Sequence, residues 1–111
     1  GIDPQEAANA VTNEEVQEDL EVAWENLEMA RVIYKTQLTN EPHEAGLALA
    51  DVCQRLGDLG KLNGNYSQAV EDYSSSLEAR KSLLESSDRL LAESHFTLAA
   101  TYEYLVATEK E

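Results

Sequence analysis

Three observations predict an all-α fold of about four antiparallel helices. Ala, Leu, Glu and Gln dominate the chain, and all four favour helix. Apolar residues recur at intervals of three and four, and strand-like alternation is missing. Chain breakers are sparse: the prolines are Pro4 and Pro42, and neither Gly nor Pro occurs in the 47 residues after Gly64.

The first helix is expected over 13–39. Thr12 or Asn13 can accept a free N–H of the first turn, and Glu15 stands at capping-box spacing from Thr12. Acids in this first turn suit the positive end of the helix dipole. The inward stripe is Val16, Leu20, Ala23, Trp24, Leu27, Ala30 and Tyr34, with Trp24 as a core anchor. The helix fades near Leu38 to Asn40, and Pro42 blocks its continuation.

Pro42 is itself a good first-turn residue for a second helix over 42–62. That helix turns Ala45, Leu49, Val52, Leu56 and Leu59 inward. Asn63-Gly64-Asn65 is a turn of residues that tolerate positive φ. A third helix spans 66–84, with Ala69, Val70, Tyr73, Leu77 and Leu84 inward. Ser86-Ser87-Asp88 offers caps for a fourth over 88–108, carrying Leu91, His95, Leu98, Tyr102 and Leu105. The short joints force neighbouring helices to run antiparallel.

The chain has 111 residues and a formal charge of −14, from 22 acids and 8 bases. That length is one domain or a piece of one. The charge disfavours direct nucleic-acid binding, because phosphates are repelled. No apolar run is long enough to span a membrane. The acids are unevenly placed: residues 1–30 hold nine and no base. Gly1-Ile2-Asp3-Pro4 reads as a cloning scar, and residues 1–12 as that scar plus an acidic disordered tail. The chain is therefore expected to be a segment of a longer protein.

Catalytic chemistry finds no support. His95 falls at an inward position and suits core packing, and His43 has no partner in the pattern. Cys53 reads as a small buried apolar residue, and a single cysteine forms no internal disulfide. Glu93 and His95 are two apart on a helix, which is wrong for a metal pair. No phosphate loop or zinc spacing occurs. The expectation is no enzyme, no metal and no cofactor.

Self-comparison separates a plain bundle from stacked hairpins. Leu56-Gly57 is followed by Gly64, Tyr66, Ala69, Tyr73 and Leu77. Small Gly57 and Ala69 let two helices approach closely, Tyr73 fills the groove beside them, and Gly64 makes the turn. This spacing resembles the tetratricopeptide repeat. Leu98-Ala99 and Tyr102 resemble the first helix of a further repeat, and Ala23, Leu27 and Ala30 the second helix of an earlier one. The resemblance implies antiparallel helix hairpins in a right-handed superhelical stack. Leu56 and Leu98 stand 42 apart, against an ordinary step of about 34, so the third helix is extended.

That extended helix and the stretch Asp88 to Phe96 resemble the nuclear autoantigenic sperm protein family of histone chaperones, as does Ala23 to Tyr34. The resemblance covers roughly residues 18–108. It implies an interrupted repeat: the tail of an acidic insertion, the second half of repeat two, all of repeat three and the first helix of repeat four. It also implies the histone three–histone four pair as partner, roles in histone storage, transport and nucleosome assembly, and a nuclear location with a cytoplasmic pool.

On the tetratricopeptide register the concave groove is lined by Asp51, Gln54, Asp58, Lys61 and Leu62, then by Glu93, Phe96, Ala100, Glu103 and Tyr104. Acids beside two aromatics suit a basic, partly apolar helix. Asp58 matches an acidic position of the family, whereas Leu62 and Gly64 depart from its acidic pattern. The partner-binding set is Asp51, Gln54, Asp58, Glu93, Phe96, Ala100, Glu103 and Tyr104. Two rivals stand beside this reading. One is a generic adaptor of the same fold. The other is a structural oligomerisation module, because Leu98, Tyr102, Leu105 and Val106 form an apolar stripe that invites a homodimer or a helix-swapped oligomer.

Overall fold

The computed structural model describes residues 3–109, with side chains described at 3–4 and 14–109. Four helices follow one another: α1 (Pro4–Gln37), α2 (Pro42–Leu62), α3 (Tyr66–Leu83) and α4 (Arg89–Glu109). Each packs on the next, and α2 against α3 is the most extensive pairing. The result is a row of helix hairpins, 60 × 33 × 22 Å, with no strand among the described residues.

The joints are built as their residues dictate. Pro42 opens α2 with φ already suited to a first turn. Gly64 has φ +75 and is the only described residue in the left-handed region. Asn65 stays at negative φ and caps α3 instead, its Oδ1 accepting the Gln68 N–H at 3.2 Å. Asp88 Oδ1 accepts the Leu90 N–H at 2.9 Å and starts α4.

The core lies between α2 and α3. Ala45, Ala50, Val52, Cys53 and Leu56 meet Ala69, Val70, Tyr73 and Leu77, all nearly inaccessible. Gly57 lets Tyr73 lie flat against α2: a Cβ there would stand 2.6 Å from two ring carbons. The small residue facing Ala69 is Gly60 rather than Gly57: a Cβ added at Gly60 would stand 3.3 Å from the Ala69 Cβ. Burial pushes the Cys53 thiol pKa up, so this cysteine is an inert core residue.

Several expectations are corrected. Helix α1 begins at Pro4, well before Thr12, so the backbone of the stretch read as a disordered tail is helical. Proline at a first turn and an Ala- and Glu-rich run after it favour helix. Trp24 is 50% exposed rather than a core anchor, and Val16 is 47% exposed. The half-buried side of α1 carries Leu20, Ala23, Leu27, Ala30 and Tyr34; Trp24 sits at its margin, and Val16 lies in line with it one turn before Leu20, where covering begins. His95 is exposed rather than inward, and Tyr102 is 47% exposed. The buried face of α4 centres on Leu91, Ser94 and Thr101, nearly a quarter turn away from His95.

Candidate functional site

The concave side joins α2 to α4 across the end of α3. Asp58, Lys61 and Leu62 from α2, Tyr66 from α3 and Tyr104 from α4 line one open groove of about 470 Å³. Tyr66 and Tyr104 stack, with ring centroids 5.6 Å apart and planes 12° from parallel. Such a pair forms a flat apolar wall that needs little ordering on binding. Leu62 is 71% exposed beside it. Asp58 supplies the negative charge and Lys61 a neighbouring cation.

Asp58 is held from below. The Tyr73 hydroxyl donates to Asp58 Oδ1, which fixes the carboxylate at the groove edge. Burial raises the Tyr73 pKa far above the usual phenol range, and the Asp58 carboxylate adds to that shift. One tyrosine therefore serves both the core and the groove: its ring fills the space Gly57 leaves, and its hydroxyl orients Asp58.

Further along the same side, Arg80 is 7% exposed and bridges two helices. Its Nη1 donates to Ser94 Oγ at 2.8 Å and to Gln54 Oε1 at 3.4 Å. This places a buried cation between α2 and α4 and commits the Gln54 amide oxygen to it. Asp51 pairs with Arg55 at 3.2 Å, and Glu93 lies 4.0 Å from Arg89, both exposed. Phe96 is 76% exposed, and Ala100 and Glu103 lie on the same helix toward Tyr104.

Of the expected partner-binding residues, the structure thus brings Asp58 and Tyr104 into one groove. Gln54 is linked to α4 through Arg80. Asp51, Glu93, Phe96, Ala100 and Glu103 do not line the groove. Sequence reasoning missed Tyr66 and Arg80. Tyr66 follows the turn and looked like a repeat-packing residue; no signal paired it with Tyr104, 38 residues on. Arg80 sits among exposed-looking Ala79, Lys81 and Ser82, and only its spacing of three from buried Leu77 hinted at burial.

A family model described as SHNi-TPR matches residues 50–87. Its span coincides with most of α2, all of α3 and most of the joint to α4. Residues 50–87 are thus similar to the SHNi-TPR domain. This is the interrupted tetratricopeptide domain of the nuclear autoantigenic sperm protein type, a protein-interaction module. The Gly57–Tyr73 and Gly60–Ala69 contacts lie inside the SHNi-TPR span, as do Asp58 and Tyr66 of the groove. Tyr104 lies beyond it, on α4. No curated protein matches the chain in a sequence search.

Proposed function

We propose that the chain is a non-enzymatic histone-chaperone segment that binds the histone three–histone four pair in the nucleus, for storage, transport and nucleosome assembly. The supporting observation is the groove in which Asp58 stands beside the stacked Tyr66 and Tyr104, with exposed Leu62 next to them. A basic helix with one apolar side suits that wall and that carboxylate. The net charge of −14 adds long-range attraction for a basic partner. Carboxylates of the chain occupy lysines and arginines that otherwise meet DNA phosphate, and no bond is made or broken.

The test is a pull-down against both core histone pairs at low and high salt, with Tyr104→Ala and Asp58→Asn alongside. The reading expects retention of the histone three–histone four pair, weakened by salt and by each variant. Equal binding by wild type and both variants, or no binding of either pair, overturns it.

A second reading, self-association, is favoured by α4. Ala92, His95, Ala99, Tyr102 and Val106 are exposed at alternating intervals of three and four, an unbroken seam for another helix. On this reading the chain forms a homodimer or exchanges a terminal helix.

A further inference from the structure

The exposed tryptophan has surroundings of its own, away from the groove. Gln17, Glu21, Trp24, Glu28 and Arg31 lie along one side of α1 at intervals of four and three. This side faces the α2–α3 turn, and three contiguous clefts open between them, all lined by Trp24. The inner cleft is walled by Glu28, Arg31, Asn65, Gln68 and Asp72. The outer one is walled by Gln17, Glu18, Leu20, Glu21 and Asn63.

The inner cleft already holds a guanidinium. Arg31 Nη2 donates to both Glu28 oxygens, at 2.5 and 2.6 Å, and Nη1 donates to Asp72 Oδ1 at 3.3 Å. Gln68 Nε2 donates to Asp72 Oδ2 at 3.4 Å. The outer cleft has the same components: the carboxylates of Glu18 and Glu21, the amides of Gln17 and Asn63, and Trp24. Neither Glu18 nor Glu21 forms an ion pair among the described residues. A cation over an indole face with carboxylates beside it is a favourable pairing.

We propose that the outer cleft at Trp24 is a second binding site, taking a lysine or arginine side chain of a basic protein segment. The ligand stacks on the exposed part of Trp24 and is held by Glu18 and Glu21, as Arg31 is held by Glu28 and Asp72. Apart from Asn63 the site lies on α1, before the SHNi-TPR span, and it shares no residue with the groove at Tyr104.

Trp24 is the single tryptophan, so its emission reports on the clefts it lines, and the Glu18 and Glu21 variants assign the signal to the outer one. The probe is a labelled oligo-arginine peptide at low salt, followed by its anisotropy and by Trp24 fluorescence. Saturable change in Trp24 emission is expected on the same curve as the anisotropy. The double variant Glu18→Gln/Glu21→Gln is expected to weaken binding about three- to ten-fold, as is Trp24→Leu. Glu14→Gln/Glu15→Gln removes the same charge outside the cleft and is expected to change little, and Tyr104→Ala is expected to leave the Trp24 signal intact. Three results overturn the proposal: peptide binding with no emission change, equal weakening by the two glutamate pairs, or no binding at all. Loss of histone binding in Tyr104→Ala with the Trp24 response kept would separate this site from the groove.

Discussion

Replacing Gly57 by alanine tests the close approach of α2 and α3 directly. The new methyl carbon would stand 2.6 Å from Tyr73 Cδ1 and Cε1 and 2.9 Å from Cζ. Those atoms belong to a rigid ring that is 1% exposed, and its hydroxyl is tied to Asp58. The ring cannot swing aside, so the helices must part. Overpacking of this kind costs about 3 kcal/mol. Alanine in place of glycine returns about 1 kcal/mol of helix propensity. The expected net loss is about 2 kcal/mol, a large share of a small domain's stability. Urea unfolding followed by circular dichroism reads it as a lower midpoint at unchanged slope. Gly46→Ala is the control. Its methyl would also come within 2.6 Å of an atom, but that atom is the Leu83 Cδ1 at the end of a flexible side chain. It is expected to be neutral or slightly stabilising. In a Tyr73→Leu background the Gly57→Ala change should reverse sign. A Gly57→Ala protein as stable as wild type would refute the packing argument.

Other outcomes follow from the same geometry. Ser76 is fully buried and its hydroxyl has no hydrogen-bond partner in the described structure, so Ser76→Ala should raise stability by about 1 kcal/mol, read as a higher urea midpoint. Burial raises the Asp72 carboxyl pKa, against the lowering influence of Gln68 and Arg31. Its folded state therefore holds a proton more tightly than the unfolded chain, and stability falls as pH rises from the ordinary carboxylate range through the raised value. Asp72→Asn should lose that fall, so urea midpoints of the two proteins should diverge in the variant's favour across the window. Arg80→Met removes the bridge between Gln54 and Ser94 and should loosen α4, seen as faster amide exchange in α4 than in α2. Sedimentation at high concentration should show a dimer that Tyr102→Glu dissociates; a monodisperse wild-type monomer would count against the α4 seam.

The sequence determined the helices because their signals are local. Pro42, Gly64, Asn65 and Asp88 each act within a turn of themselves, and the joints stand where those residues put them. It also determined the α2–α3 hairpin, because Gly57 and Tyr73 are close in the chain and their sizes are complementary, although Ala69 meets Gly60 and not Gly57. Exposure was harder to read. Trp24 and His95 obey the helical period yet face out, since period locates a face and not what lies opposite it. Only the tertiary structure decided the site. Stacking of Tyr66 on Tyr104, the Arg80 bridge and the Arg31–Asp72 pair each join residues distant in sequence. Such contacts depend on how whole helices cross, a property summed over many small packing terms that no local pattern carries.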